Sequence, residues 1–401
     1  MNSTFLALIP KKDKPRTFAD FRPISLCNLL YKLIAKIIAG SLKPFLDLGI
    51  SREQFVFLKD PQISDPIGIV QEVLHSIKTK NLCAFVLKLD LTKAFDRVDW
   101  SYVRLILIQI GIPLLTVNWI MACITSVNFT VLVYNGTPSP FFTASRGIRQ
   151  GCPLSPLLFI LVIEGFSLLI RDARNNGLIR GIQISPSLAF SHLLFVDDVI
   201  LMGSGTLLDW SAFEVILETF SKASGMKINV EKSCLLYCNM DNAVQNTFAS
   251  SMPYRMLPLH SGFTYLGYFL KPLGYRVNDW IWLLQKFEKR ISNWTFQYLS
   301  LGGRLVLVQS VLSSIPVYWM GLAPIPATIL QKLRSIMFNF LWGSSDKNKK
   351  FHLESWNDLS WPKECGGLGY QEPSLVQYFP SSQKFMEGSS FKWFVDTGPS
   401  L

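Results

Sequence analysis

Two adjacent carboxylates, Asp197 and Asp198, separate two short apolar runs, Leu193-Leu194-Phe195-Val196 and Val199-Ile200-Leu201-Met202. Both runs are rich in the β-branched and aromatic residues that suit strands, and Asp tolerates turn geometry. The pattern predicts a β-hairpin with Asp197 and Asp198 at its tip. Such a pair is either an exposed acidic turn or a site whose charge something neutralises. A divalent cation is the natural candidate, because Mg²⁺ prefers carboxylates plus substrate phosphates to an all-protein cage. A third acid, Asp90, closes the apolar run Cys83-Ala84-Phe85-Val86-Leu87-Lys88-Leu89. An unpaired charge at the end of a buried strand is costly, so Asp90 becomes a partner for the hairpin acids. Asp96 and Asp99, beside Arg97, read more plainly as loop or helix-start acids. On one sheet, the three acids could chelate two Mg²⁺ ions roughly 3.5–4 Å apart and serve phosphoryl transfer. Positioning and charge neutralisation carry the rate of such reactions.

The flanking elements must deliver those acids and a polyanionic substrate. Residues 5–9 resemble a strand, closed by Pro10 and the basic run Lys11-Lys12-Asp13-Lys14-Pro15-Arg16, with Arg22-Pro23-Ile24-Ser25 following. This is either a solvated loop or a triphosphate clamp, since Arg grips phosphate bidentately and Lys does so as a point charge. A helix is expected from Leu29 to Leu46 and another from Trp100. The Gly-punctuated stretch Ser145 to Pro156 opens an apolar helix from Leu157 to Arg171. It is a plain loop–helix junction or a place where backbone approaches a ligand. Residues 208–223 read as helix, Gly225 to Ser233 as a turn and strand, and Phe263 to Gly267 as a strand. From Trp280 the pattern is helical, with breaks at Gly302-Gly303 and Pro316. Lys286, Lys289, Arg290, Arg304, Lys332 and Arg334 lie there among Trp282, Trp294 and Trp342. That mixture suits a nucleic-acid groove, although core packing also explains the tryptophans.

At 401 residues the chain is long for one domain, and at 49% hydrophobic and 17% charged it is not disordered. Its formal charge of +11 favours a polyanionic partner, nucleic acid ahead of membrane, or else reflects solvated lysines. The seven cysteines are scattered without a CxxC pair and only four histidines are present, so no zinc site is expected. They read as reduced, buried thiols of an intracellular protein. No targeting segment is readable, which leaves nucleus or cytoplasm open. Glu164 interrupts one long apolar run, and Gly111 with Pro113 breaks the other, so no membrane partner is expected.

These residues together resemble the reverse transcriptase of plant LINE-type (non-LTR) retrotransposons. The matching segments occur in order: Ile9-Pro10-Lys11-Lys12, Phe21 to Ser25, Lys88-Leu89-Asp90 with Lys93 to Asp96, Arg146 to Pro156, Phe195 to Asp198, Gly225 to Ser233 and Tyr265-Leu266-Gly267. They continue through Gly303-Arg304, Ser313 to Pro316, Phe340-Leu341-Trp342 and Cys365 to Gly369, so the resemblance covers roughly residues 2–378. It implies an α/β (α+β) right-hand polymerase, fingers and palm with mixed sheet followed by an all-helical thumb or connection. The implied divisions are fingers 1–80, palm 81–270, thumb 271–345, a truncated zinc-binding-like region 346–378, and an unstructured aberrant tail 379–401.

By the same resemblance, Asp90, Asp197 and Asp198 are catalytic and hold Mg²⁺ (Mn²⁺ can substitute), with the Leu91 carbonyl assisting. Lys11 or Lys12, Arg16 and Arg22 would grip the incoming triphosphate, Phe95 would exclude a ribose 2′-hydroxyl, and Gln150 and Gly151 would lie along template and nucleotide. Lys232 would stand near the triphosphate, and Tyr265-Leu266-Gly267 would form a primer grip. The implied partners are an RNA template, a DNA primer and dNTPs. Two positions depart from the family pattern: Val196 stands where Ala is usual, and Asp60-Pro61 where Gly-Arg is usual. No endonuclease is expected before Met1 and no ribonuclease H domain after the thumb. The alternative is a decayed element that keeps the fold and only binds nucleic acid. An intron maturase is disfavoured, because Leu301 to Met320 follows the LINE pattern.

Overall fold

The computed structural model describes residues 3–55, 64–132, 137–186, 188–251, 254–272, 274–292, 299–320 and 323–343. Asp60-Pro61, Trp294 and the expected divisions beyond residue 345 lie outside the described residues. The chain forms two compact units: Met1–Pro66 with Glu72–Leu266, and Ile67–Gln71 with Gly267–Leu401.

The first unit starts with strand β1 (Ser3–Pro10), β2 (Phe21–Leu26), helix α1 (Leu29–Gly49) and helix α2 (Ser64–Thr79), part of which is assigned to the second unit. Strand β3 (Ala84–Asp90), the short α3 (Ala94–Arg97), α4 (Trp100–Gln109) and α5 (Leu114–Thr125) follow, then β4 (Asn128–Val131), β5 (Phe142–Thr143) and the long α6 (Ser155–Asn175). Strands β6 (Ile182–Ser185), β7 (Leu188–Phe190), β8 (His192–Phe195) and β9 (Asp198–Ser204) lead to α7 (Leu207–Ser224). The unit continues with β10 (Cys234–Cys238), α8 (Asn242–Ser251), β11 (Arg255–Pro258) and β12 (Phe263–Tyr265).

One mixed sheet has the order β2-β1-β4-β5, and the central sheet has the order β11-β10-β3-β9-β8. Strand β3 is buried almost throughout, which explains its unbroken apolar run, and its pairing with β9 sets Asp90 opposite Asp198. Outside β8 the backbone of residues 53–55 adds a further rung: Phe55 N–H donates to Leu194 O (2.8 Å) and Leu194 N–H to Glu53 O (2.9 Å). Helix α6 packs on α1, α4, α7 and β8. It begins at Ser155-Pro156, where a proline sits without losing a helical hydrogen bond.

The sequence pattern missed β10 and β11, and it placed a strand in Gly225–Ser233 that is instead a loop and turn with one bridge, Ile228 to Leu91. Continuous apolar residues in Cys234–Cys238 show no alternation, because β10 is an interior strand between β3 and β11. Cys27, Cys123, Cys152 and Cys238 are buried as expected, but Cys83 is exposed, since it precedes β3 rather than lying in it.

The described part of the second unit adds strand β13 (Tyr268–Leu270) and helices α9 (Ile281–Ser292), α10 (Leu301–Leu307), α11 (Ser314–Met320) and α12 (Ala327–Trp342). A π-helical turn, Val308–Leu312, joins α10 to α11, and the breaks expected at Gly302-Gly303 and Pro316 instead fall inside α10 and α11. Trp282, half-buried, packs edge-on against the buried Trp319 at 4.5 Å, so packing accounts for this tryptophan. Arg304 donates to the carbonyls of Leu299 and Leu341, and is a structural tie rather than an open cation. Lys286, Lys289, Arg290 and Lys332 are exposed.

Beneath the central sheet, Phe85 meets Trp210, Phe213 and Phe248 edge to face, with ring centroids 5.5–5.9 Å apart. Gly203 on β9 leaves room for that ring: a Cβ there would stand 2.4 Å from Phe85 Cζ and 3.3 Å from Phe213 Cε2. Gly203→Ala is therefore expected to destabilise the fold by about 1–3 kcal/mol through overpacking, read from the denaturant midpoint at constant m.

Candidate active site

Asp90 is the last residue of β3, Asp198 is the first of β9, and the two are paired in register. Phe195 and Asp198 pair across the hairpin, so its tip is Val196-Asp197 and Asp198 stands on the strand. This corrects the expectation that both acids occupy the tip. A two-residue connection needs a left-handed first residue when it forms a type II′ turn, and Val196 has φ 55°. For a β-branched side chain that is a strained backbone, of the sort that persists where surrounding structure over-determines it.

The Asp90 backbone is held from the other side by the 225–233 loop. Asn229 N–H donates to Asp90 O (2.7 Å) and Thr92 N–H to Lys227 O (2.7 Å), so Leu91 lies between these bonds and its own carbonyl is not used by this bridge. Asp90 N–H donates to Ser233 Oγ (3.1 Å), and that hydroxyl donates to Asn229 O (2.7 Å). Ser233 is 1% exposed. Sequence reasoning assigned it no role, and its polar surroundings, Asn229, Glu231 and Lys232, gave no local signal of burial. Lys232 Nζ is 3.9 Å from Asp90 Oδ2, a largely exposed pair of small energetic weight.

Burial raises the Asp198 carboxyl above its ordinary value; Lys88 opposes that, while the charges of Asp197 and Asp90 add to it. Lys88 Nζ also donates to Thr264 O (2.8 Å). Among the described residues no three His, Cys, Asp or Glu side chains form a ready-made metal cage. The donor set does fit a hard cation completed by water and substrate: carboxylate oxygens of Asp90, Asp197 and Asp198, a carbonyl at Leu91, and mutual like-charge repulsion that a divalent ion relieves.

The basic hairpin β1–β2 distributes its cations unevenly. Lys12 pairs with Asp20 (2.8 Å), and Asp20 also accepts from Arg16 N–H (2.8 Å) and Thr17 N–H (3.0 Å), which hold its carboxyl well below the usual range. Lys12 is thus committed within the hairpin. Lys11 donates to Ala19 O (3.2 Å) and acts electrostatically on Asp96. Arg16 and Arg22 are exposed. Burial raises the Asp96 carboxyl, opposed by Gln150, Lys93 and Lys11, and Gln150 Nε2 donates to Asp96 Oδ1 (3.3 Å). Gln150 O accepts from Ser25 N–H (2.8 Å), and a Cβ at Gly151 (φ 97°) would lie 3.1 Å from Ser25 O. The Gln150-Gly151 loop, Asp96 and the end of the basic hairpin are therefore one assembly.

Phe95 stacks on Phe159 of α6 (4.4 Å, 8° between planes) and is half-buried. Tyr265 is fully buried, its hydroxyl has no hydrogen-bond partner, and burial with the Asp198 charge raises its phenol strongly. Its side chain therefore cannot touch a primer, and any such contact falls to the turn at Leu266 (φ 46°) and Gly267 (φ 84°). Asp99 caps α4 through Ser101 N–H (2.7 Å) and Tyr102 N–H (3.3 Å), the plain role expected of it.

Gly147 is a site determinant the motif reading did not single out by itself. At φ 91° its N–H donates to Val98 O (2.7 Å), its carbonyl accepts from Trp100 Nε1 (2.7 Å), and a Cβ would lie 2.7 Å from Asp96 O. Gly147→Ala is expected to cost about 1–3 kcal/mol because backbone must move. Gly177→Ala, at φ 72° with nothing within 4 Å, serves as the control for conformation alone and is expected to cost less. Equal losses in denaturant melts would show that the close approach to Asp96 carries no weight.

Residues 9–270 match the family described as reverse transcriptase (RNA-dependent DNA polymerase). The chain is 31% identical over 371 residues to the Transposon TX1 uncharacterized 149 kDa protein of Xenopus laevis, covering 91% of this chain and 27% of that protein. It is 25% identical over 288 residues to a retrovirus-related Pol polyprotein from type-1 retrotransposable element R2 of Popillia japonica, covering 68% and 39%. The chain thus spans between about a quarter and two-fifths of these relatives' lengths. A telomerase structure from Candida albicans aligns over 100% of this chain and 67% of its own at 12% identity and TM-score 0.48. With a family match over most of its length, and with the acids of two central strands drawn together, this chain belongs to the reverse transcriptase family.

Proposed function

We propose that this chain is the RNA-directed DNA polymerase core of a non-LTR retrotransposon, joining dNTPs to a primer 3′-hydroxyl on an RNA template. The observation that carries the reading is the register of β3 and β9, with Asp90 opposite Asp198 and Asp197 in the adjoining turn. In this reading residues 1–80 are fingers, 81–270 palm and 271–345 thumb. Two shorter matches in Arabidopsis thaliana, 42% identical over 87 residues and 48% over 71, support a plant origin.

Asp90, Asp197 and Asp198, with the Leu91 carbonyl, would hold Mg²⁺, which when bound supplies charge neutralisation at the triphosphate and acidifies the attacking hydroxyl. The protein's own part is placement. Lys11, Arg16 and Arg22 approach the triphosphate from the basic hairpin, and Lys232 stands beside Asp90 as a further point charge. Lys12 contributes only by releasing Asp20. Gln150 and Gly151 line the template and nucleotide, and the Leu266-Gly267 turn bears on the primer.

Asp90→Asn and Asp197→Asn are each expected to abolish Mg²⁺-dependent primer extension with unfolding transitions unchanged, while Asp198→Asn keeps a small residual rate. Parental activity in Asp197→Asn would sink the assignment. In this reading the Phe95 ring, backed by Phe159, excludes a 2′-hydroxyl. Phe95→Val is expected to raise ribonucleotide incorporation relative to deoxyribonucleotide in matched single-nucleotide extensions. An unchanged ratio would assign Phe95 to packing alone.

A further inference from the structure

A line of buried polar side chains between α6 and the strand leading into the acidic turn is left unused by the proposed chemistry. Its members are Ser51 (7% exposed), Glu164 (4%), Ser167 (0%), His192 (0%) and Ser191 (1%). Ser51 N–H donates to Glu164 Oε1 (3.1 Å), and Ser51 Oγ is 2.9 Å from Glu164 Oε2 and 2.7 Å from Ser167 Oγ. Ser167 Oγ is 2.8 Å from His192 Nε2, and His192 Nδ1 is 3.0 Å from Ser191 Oγ. Burying a carboxylate and an imidazole costs far more than apolar residues would, and such groups persist only when every member is satisfied.

The line can run unbroken in two senses. With Glu164 ionised, Ser51 donates to it, Ser167 donates to Ser51, His192 Nε2–H donates to Ser167, and Ser191 donates to His192 Nδ1. With Glu164 protonated, each of these bonds reverses: the carboxyl donates to Ser51, Ser51 to Ser167, Ser167 to a bare His192 Nε2, and Nδ1–H to Ser191. One proton at Glu164 thus decides which ring nitrogen of His192 carries hydrogen.

We propose that Glu164 is a positioning residue for the Asp197-Asp198 hairpin, its proton selecting through Ser51 and Ser167 the tautomer of His192 on strand β8. The strand is tied on both flanks of this imidazole. Met202 N–H donates to Ser191 O (2.8 Å), and residues 53–55 pair with Leu194 only two positions beyond Ser51. A charged Glu164 is also the stronger acceptor for Ser51 N–H, so the same proton tunes the anchorage of that outer segment.

The surrounding charges fit this role. Burial pushes Glu164 up to about 7, against the Ser51 bonds and Arg171 of its own helix, with Glu53 adding to the rise. Burial, with Arg174 and Arg171, keeps His192 neutral by lowering it to about 3. From α4, the Tyr102 hydroxyl stands over Gly165 beside Glu164, and burial raises that phenol to about 12, so it stays neutral. The imidazole therefore changes tautomer and not charge while Glu164 titrates. The sign follows for stability as well: the raised carboxyl contributes most at low pH, and that contribution is lost as pH rises from 4.5 to about 7.

The positioning role rests on reading Asp197-Asp198 as catalytic, whereas the tautomer can be read without turnover. The test is ¹⁵N-histidine NMR of the full chain, in which only four histidines contribute. On raising pH from about 5 to about 9, His192 is expected to pass from Nδ1–H to Nε2–H without protonating. Glu164→Gln, whose amide donates to Ser51 as the protonated acid does, is expected to hold Nδ1–H throughout. Ser167→Ala keeps the carboxyl but cuts the line, and is expected to make the tautomer independent of pH even if the Gln variant fails to fold. A single tautomer in the wild type, or a switch that survives Ser167→Ala, overturns the coupling. In primer extension, kcat of the wild type is expected to show an inflection near the Glu164 titration that Glu164→Gln removes with KM for template-primer unchanged. An inflection kept by Glu164→Gln overturns the positioning role and leaves the polymerase reading standing.

Discussion

The structure depends on the antiparallel pairing of β3 with β9, which sets Asp90 against Asp198 at one end of two interior strands of an apolar sheet. Hydrophobic burial along both strands holds together charges that repel each other. Burial raises the Asp198 carboxyl, and the charges of Asp197 and Asp90 add to that rise. A site built this way has unmet affinity for cations, and its geometry is imposed by packing elsewhere rather than by its own interactions.

That packing is over-determined in the places where the site would otherwise relax. Phe85 in its aromatic cluster leaves no space beside Gly203, and Ser233 pins the Asp90 backbone from the loop behind it. Gly147 lets two backbone segments touch, which locates Asp96 and Gln150 in relation to the end of β3. The strained φ of Val196 is tolerated because β8 and β9 are paired on both sides of it. Rigidity at these points suits the proposed nucleotidyl transfer, in which placement, and not covalent chemistry by side chains, is the protein's contribution.

The cationic hairpin follows a different logic. Its lysines and arginines are mostly exposed, where ion pairs contribute little to stability and the cations stay open to a polyanionic ligand. Lys12 is the exception, since Asp20 neutralises it while accepting two backbone N–H groups, and that arrangement shapes the turn. The buried line from Glu164 to Ser191 adds a polar constraint on the opposite side of the acidic turn from the 225–233 loop's hold on Asp90 in the chain's wiring, through β8 rather than β3.

The hairpin, the acid ending β3, the basic run and the helices α1, α6 and α7 were legible in the sequence, because each carries a local signal of periodicity, turn chemistry or capping. The ordered motifs were enough to identify the family. Strand β10 was not legible, since an interior strand loses its alternation, and β11 was missed as a short, four-residue edge strand. The loop at 225–233 looked like a strand because its residues have strand propensity, and only its bonds to Asp90 and Thr92 make it a brace. Motif reading put Lys11 or Lys12 in a phosphate grip and Tyr265 in a primer grip; that Lys12 pairs with Asp20 and that the Tyr265 side chain is fully buried came only from the tertiary structure. Sequence by itself determined which groups could do chemistry, because identity and spacing are local. Tertiary structure alone decided which of them are free to do it, because burial and hydrogen-bond partners come from residues the local pattern does not contain.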